Sequence, residues 1–183
     1  MKTWEHPGGK LIELGPQSLN QDELFSILIS TGYKGRTAQD ISKDLIDNYF
    51  GIYGIWGRTF EELSRIKGLK NGKIKRIAAP YEICKRVIKE NNWNLPAVKK
   101  VKIGLPDYSD DKLLAALIVN GYRDKTPQAL AKDLLKKYTS LSGMMGVKLS
   151  DMAKIRGLGD VKIVRIAAAY EIAHRTVKLL EAE

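Results

Sequence analysis

Two short stretches of this sequence bring together residue types that can hold a phosphate. Ile66-Lys67-Gly68-Leu69 is followed by Lys70, Gly72 and Lys73, and Ile155-Arg156-Gly157-Leu158 by Gly159 and Lys162. A glycine turn that leads straight into a helix presents backbone N–H groups at the positive end of the helix dipole, a ready anion site. Glycine lets a phosphate approach the main chain closely and lets the turn take a positive φ. Lys73 and Lys162, one turn into the helix that follows, can neutralise the bound anion. Contacts of this kind give affinity and register on a nucleic acid without reading a base edge.

The two stretches belong to a longer internal repeat. When residues 15–94 are set against 104–183 without a gap, 29 of the 80 positions are identical. A fixed spacing of 89 residues indicates a duplicated structural unit, so one reading explains both halves, 1–94 and 95–183. The charge follows the repeat. Residues 65–89 hold nine Lys or Arg against one acid, and residues 154–178 hold six against two. These windows carry +8 and +4 of a chain whose net charge is +10, so the remainder is slightly acidic. Basicity concentrated in two equivalent places suggests a binding footprint on a polyanion.

The elements that must position these residues read as helices. Apolar spacing predicts helices over Asp22–Ile29 and Ala38–Tyr49, the second capped by Thr37. Thr59-Phe-Glu-Glu62 has the form of a capping box and opens a short helix. A last helix runs from about Lys73 to Lys89, and Pro80 inside it is expected to bend it or cost a hydrogen bond. Gly51–Gly57 is too rich in glycine for a regular helix and reads as a connector, and Asn91–Lys102 as the linker between units. The second unit repeats the plan, with Thr126-Pro127 as cap and first helical residue. The expected fold is all-α, two tandem five-helix units that each contain two helix–turn–helix hairpins.

These hairpins resemble the helix–hairpin–helix motif. Gly157-Leu158-Gly159 fits its Gly-hydrophobic-Gly core, and Gly68-Leu69-Lys70 fits with one departure. Leu11–Leu24, Thr31–Gly35 and Ile66–Leu69 are similar to the pattern of the helical N-terminal domain of the bacterial RadC family. That resemblance implies a double helix–hairpin–helix fold of DNA-repair type that binds DNA. RadC-like proteins usually continue into a metal-dependent domain needing paired histidines. With only His6 and His174 in the sequence, that domain is expected to be absent.

The expected contact residues are Gly68, Leu69, Lys70, Gly72, Lys73, Lys75 and Arg76 in the first unit, and Arg156, Gly157, Leu158, Gly159, Lys162 and Arg165 in the second. The earlier glycine turns add Gly32, Lys34, Gly35 and Arg36, and Gly121, Arg123 and Lys125. Lys70 in place of a second hairpin glycine predicts a poorer amide cradle in the first unit, and Asp124 in place of Gly35 predicts repulsion in the second. The competing reading of the glycines is structural, since helical hairpins need such residues whether or not they bind anything. Tyr53 and Trp56 could stack on bases, but their counterparts Ser142 and Met145 favour core packing. The single Cys84 aligns with Ala173 and reads as a small buried helix residue. No acid or histidine cluster has metal-ligand spacing, so no catalysis, metal or cofactor is expected. Met1–Gly9 shows no apolar signal core, which predicts a cytoplasmic protein, nucleoid-associated when bound to DNA. A second class of function, protein–protein interaction or dimerisation through the same helices, predicts an exposed apolar face instead of a basic one.

Overall fold

The computed structural model describes residues 6–183, so residues 1–5, on which part of the signal-peptide reading rests, lie outside the described residues. The fold is all-α. The first half holds α1 (Pro7–Leu14), α2 (Gln21–Ile29), α3 (Ala38–Tyr49), α4 (Gly51–Ile55), α5 (Phe60–Ser64) and α6 (Asn71–Glu90). The second holds α7 (Asp110–Ile118), α8 (Pro127–Tyr138), α9 (Leu149–Met152) and α10 (Asp160–Glu181). No helix among the described residues is long and apolar enough to cross a membrane.

Local chemistry accounts for four of the starts. Asn20, Thr37 and Thr59 each accept from the backbone three residues on, and Glu23, Asp40 and Glu62 complete reciprocal capping boxes. Thr126 caps α8 with Pro127 at its first position. Each such cap contributes about 1 kcal/mol. Gly51–Ile55 forms a short helix where a connector was expected, because Ile52 and Ile55 are almost fully buried and offset the glycine cost. Its counterpart in the second half is a single 3₁₀ turn, Ser142–Met144, so the two halves do not have the same helix count. α6 runs unbroken from Asn71 to Glu90 through the buried Pro80, so the proline does not end it.

The halves share one core. α6 packs against both α2 and α7, and α10 packs against α7, α2 and α6. The join between them is packed as well: Val101, Ile103 and Leu105 are buried, and the N–H groups of Lys102 and Ile103 both donate to Trp56 O.

Two buried clamps fix this crossing. Glu82 receives Lys85 Nζ at 2.8 Å, Arg86 Nε at 3.0 Å and the Leu105 N–H at 3.2 Å. Arg86 then reaches Tyr108 O and Asp110 Oδ1, both at 2.6 Å, ahead of and at the start of α7. In the same way Glu171 holds Arg175 Nε at 2.7 Å, and Arg175 donates to Leu19 O at 2.8 Å just ahead of α2. The last helix of each half thus grips the lead-in to the first long helix of the other. Although burial opposes its charge, the bonds from Lys85 and Arg86 hold the Glu82 carboxyl below its usual range.

Candidate nucleic-acid interface

The second hairpin of each half has the same backbone. Gly68 and Gly157 take φ of 100° and 98°. A Cβ on Gly68 would lie 2.7 Å from Ile41 Cδ1, and one on Gly157 3.0 Å from Tyr122 Cβ. These glycines are therefore required by conformation and by packing of the hairpin on the neighbouring turn. Leu69 and Leu158 are buried and anchor the hairpins in the core. Lys70 and Gly159 then stand at the N-caps of α6 and α10 with φ, ψ of −121°, 171° and −82°, 169°.

This corrects the expected weakness of the first hairpin. Both caps are in ordinary extended conformation, and a Cβ at Gly159 would meet nothing within 4 Å. Lysine fits that position as well as glycine does and adds a charge. Gly72 likewise sits within α6 with open space about it, so neither the turn nor packing requires a glycine there. Neither Lys70 nor Gly159 supplies a side-chain cap, in contrast to Asn20, Thr37, Thr59 and Thr126. The first-turn N–H groups of the two long helices are thus left without the side-chain oxygen that α2, α3, α5 and α8 have, as are those of α1, α4, α7 and α9, and in these two the long helix dipole adds to their pull on an anion.

The basic residues divide into two sets. Lys34, Lys67, Lys70 and Arg156 are exposed, and Lys75 is half-buried with its ammonium 5.5 Å from the Tyr108 ring centre. Lys34 and Lys70 flank the Tyr33 ring, and Arg123 stacks beside Tyr122. The other set is consumed by the fold. Lys73 Nζ donates to Thr31 O at 2.6 Å and Gly32 O at 3.2 Å. Lys162 Nζ donates to Gly121 O at 3.0 Å and Gly157 O at 2.7 Å. Arg76 donates to Leu28 O and Ile29 O. Arg165, 8% exposed, donates to Leu117 O, Ile118 O and, across the halves, Ser30 Oγ. Arg36 binds Lys67 O and Asp44, and Lys125 pairs with Asp133.

Lys73, Lys162, Arg76 and Arg165, expected as phosphate contacts, are thus cations on the carbonyl ends of α2 and α7 and the turns that follow. None of the four makes an ion pair with a carboxylate among the described residues. Burial, then the neighbouring Arg165, brings Arg76 down to about 10, which still leaves it charged at neutral pH.

The backbone explains the convergence. Ser30 at φ 65°, ψ −45° and Val119 at φ 68°, ψ −57° form γ-turns of the strained type, with the Thr31 N–H on Ile29 O and the Asn120 N–H on Ile118 O, both at 2.8 Å. Each folds the chain back so that carbonyls on both sides of the turn face one lysine and one arginine. Sequence reasoning could not find these bonds, whose partners stand about 40 to 50 residues apart. The first turns are close behind. In Tyr33–Arg36, paired by two backbone bonds, Lys34 and Gly35 both take positive φ. Gly32 and Gly121 run so close to this turn and its counterpart that a Cβ would overlap Arg36 O or Lys125 O.

The surroundings of the two hairpins differ in acid content. The first turn of α6 has none, whereas α10 opens with Asp160. Near the second hairpin, Asp151 pairs with Lys154 at 2.8 Å. The remaining candidates resolve simply: Trp56 is buried and Tyr53 half-exposed against it with ring centres 4.5 Å apart. Burial pushes the Cys84 thiol up to about 12, leaving it unreactive at neutral pH.

Comparison with known proteins follows the same stretches. The family model described as UPF0758 N-terminal matches residues 1–75 and 85–164. A UPF0758 protein of Alkaliphilus oremlandii is 39% identical over 99 residues, 52% of this chain and 43% of its own length. One from Clostridium beijerinckii is 31% identical over 144 residues, 78% of this chain and 58% of its own. One from Coprothermobacter proteolyticus is 31% identical over 110 residues, 58% of this chain and 45% of its own. The chain thus spans about half the length of these relatives, and no solved structure matches it. With the family model covering most of the sequence, hairpins included, the chain belongs to the UPF0758 family by its N-terminal region.

Proposed function

We propose that this protein is a nucleic-acid-binding module, for duplex or junction DNA, that grips the phosphate backbone without reading sequence, in a repair or recombination setting. The carrying observation is that the two long helices begin at glycine hairpins without side-chain caps, the first of them ringed by Lys34, Lys67 and Lys70. A phosphate oxygen satisfies those N–H groups as Asn20 or Thr37 does elsewhere, and the lysines supply the counter-charge. The lysines and arginines on the carbonyl ends of α2 and α7 hold the hairpins against the turns before them, so they position the site and do not contact the phosphate.

The two halves are read as copies of one unit. The second stretch matched by the family model ends 89 residues after the first, the spacing of the sequence repeat. The Tyr81 hydroxyl on Ile52 O recurs as Tyr170 on Leu141 O, each at 3.1 Å.

Fluorescence anisotropy of labelled duplex and four-way-junction DNA over a salt series tests the proposal. With about four phosphates neutralised, log K falls against log salt with a slope of about −3.5. No detectable binding in low salt to either DNA overturns it.

A further inference from the structure

We propose that the groove between the start of α6 and α7 is a docking site for a short helix of a partner protein that carries a carboxylate on its contact edge. The molecule contains a template for this occupant. In the first half, α1 lies across α2 and the start of α10. Lys10 Nζ meets both oxygens of Glu23 at 2.9 Å, Leu11 is fully buried, and a Cβ on Gly8 would lie 3.5 Å from Val164. In the repeat, the places of Glu23 and Val164 are taken by Lys112 on α7 and Lys75 on α6.

Among the described residues, no helix covers that second surface. The chain that stands where α1 would be, residues 96–103, forms the turn Pro96–Lys100 and is drawn away, with Lys102 and Ile103 bonded to Trp56 O. What remains is a groove floored by Ala115, Ala116 and Val119, the last 39% exposed, and rimmed by Lys75 and Lys112 with Asp107 as the acid among its lining residues.

Three features select the occupant. The helical seat of α1 on the equivalent surface shows that a helix of about eight residues fits. The apolar floor favours a side chain over a phosphate, which would leave it without contacts. The exchange of Glu23 for Lys112 inverts the partner charge, so a carboxylate belongs where α1 carries Lys10. A second copy's α1 would set Lys10 against Lys112 and is disfavoured.

The probes are two fluorescent peptides of residues 6–15, stapled on their outer face because so short a helix does not persist in water. One has the natural sequence and one has Lys10→Glu. Titrated with the full chain, the Lys10→Glu peptide is expected to bind on the order of tenfold more tightly than the natural one. A Lys112→Glu chain, which places the first half's own residue there and whose fold is checked by circular dichroism and its unfolding midpoint, is expected to reverse the preference. Equal binding of both peptides, no binding of either, or a preference unmoved by Lys112→Glu overturns the proposal. Tighter binding of the natural peptide assigns the groove to a second copy. Loss of duplex DNA affinity in Lys112→Glu with neither peptide bound assigns it to nucleic acid. Either result also overturns the proposal.

Discussion

The hairpins at Lys67–Lys73 and Arg156–Lys162 have nearly the same main chain and quite different electrostatics. Both turn on a glycine near φ 100°, bury a leucine, and start a long helix without a side-chain cap. The one with the better-looking glycine motif, Gly157-Leu158-Gly159, opens its helix with Asp160, while the one with Lys70 in the motif has no acid in its first turn. The second motif glycine contributes nothing that lysine cannot, because its backbone is extended. Charge, not backbone freedom, separates the two sites, and the first hairpin is the stronger one in the proposed function.

The largest test of this comparison concerns the cations that serve both hairpins from behind. Arg165→Met takes the side-chain donor from Leu117 O and leaves Ile118 O with the Asn120 N–H alone, and should cost about 3 kcal/mol in denaturant unfolding, with Arg76→Met costing about 2. Neither should change the salt slope of DNA binding. A slope reduced by about one in Arg76→Met, with stability intact, would show Arg76 to be a phosphate ligand after all.

Next in size are Gly68→Ala and Gly157→Ala. Each places a Cβ at strongly positive φ against a neighbouring side chain, and each should cost about 1–2 kcal/mol by chemical denaturation. Equality within about 0.5 kcal/mol is expected if the turns are structural equivalents. A loss confined to one of them would break the equivalence.

Binding should separate what stability does not. Lys70→Glu is expected to weaken duplex affinity by about tenfold and lower the salt slope by about one, while Gly159→Glu costs about threefold with the slope nearly unchanged. Anisotropy at two salt concentrations suffices, and the reverse order would restore the glycine motif as the stronger site. The smallest effect sharpens the point: Gly159→Lys should leave stability within about 0.5 kcal/mol and tighten binding by about twofold to threefold.

Much of the architecture was legible where the signal is local. Thr37, Thr59 and Thr126 announced their helices because a cap needs only the next few residues. The glycine hairpins were legible for the same reason. The short helix α4 was not, since Gly51 and Gly54 argue against it locally and only the burial of Ile52 and Ile55 in the finished core decides for it. The roles of Lys73, Arg76, Lys162 and Arg165 were illegible too. Their spacing in a basic window looks the same whether they face solvent or a carbonyl on another helix, and only the γ-turns at Ser30 and Val119 bring those carbonyls within reach. Glu82 and Arg86 align with identical residues, Glu171 and Arg175, in the repeat, but nothing in the spacing shows that each arginine crosses to the other half.

That crossing also sets an order of events during synthesis. The face of α2 that belongs against α10 has no partner until the last helix has been made, some 130 residues after α2 itself. At roughly 5–20 residues per second, the nascent chain keeps that apolar face uncovered for on the order of ten seconds. In that interval α2 is open to the corresponding helix of another nascent copy, so exchange of α10 between chains competes with closure of each chain on itself.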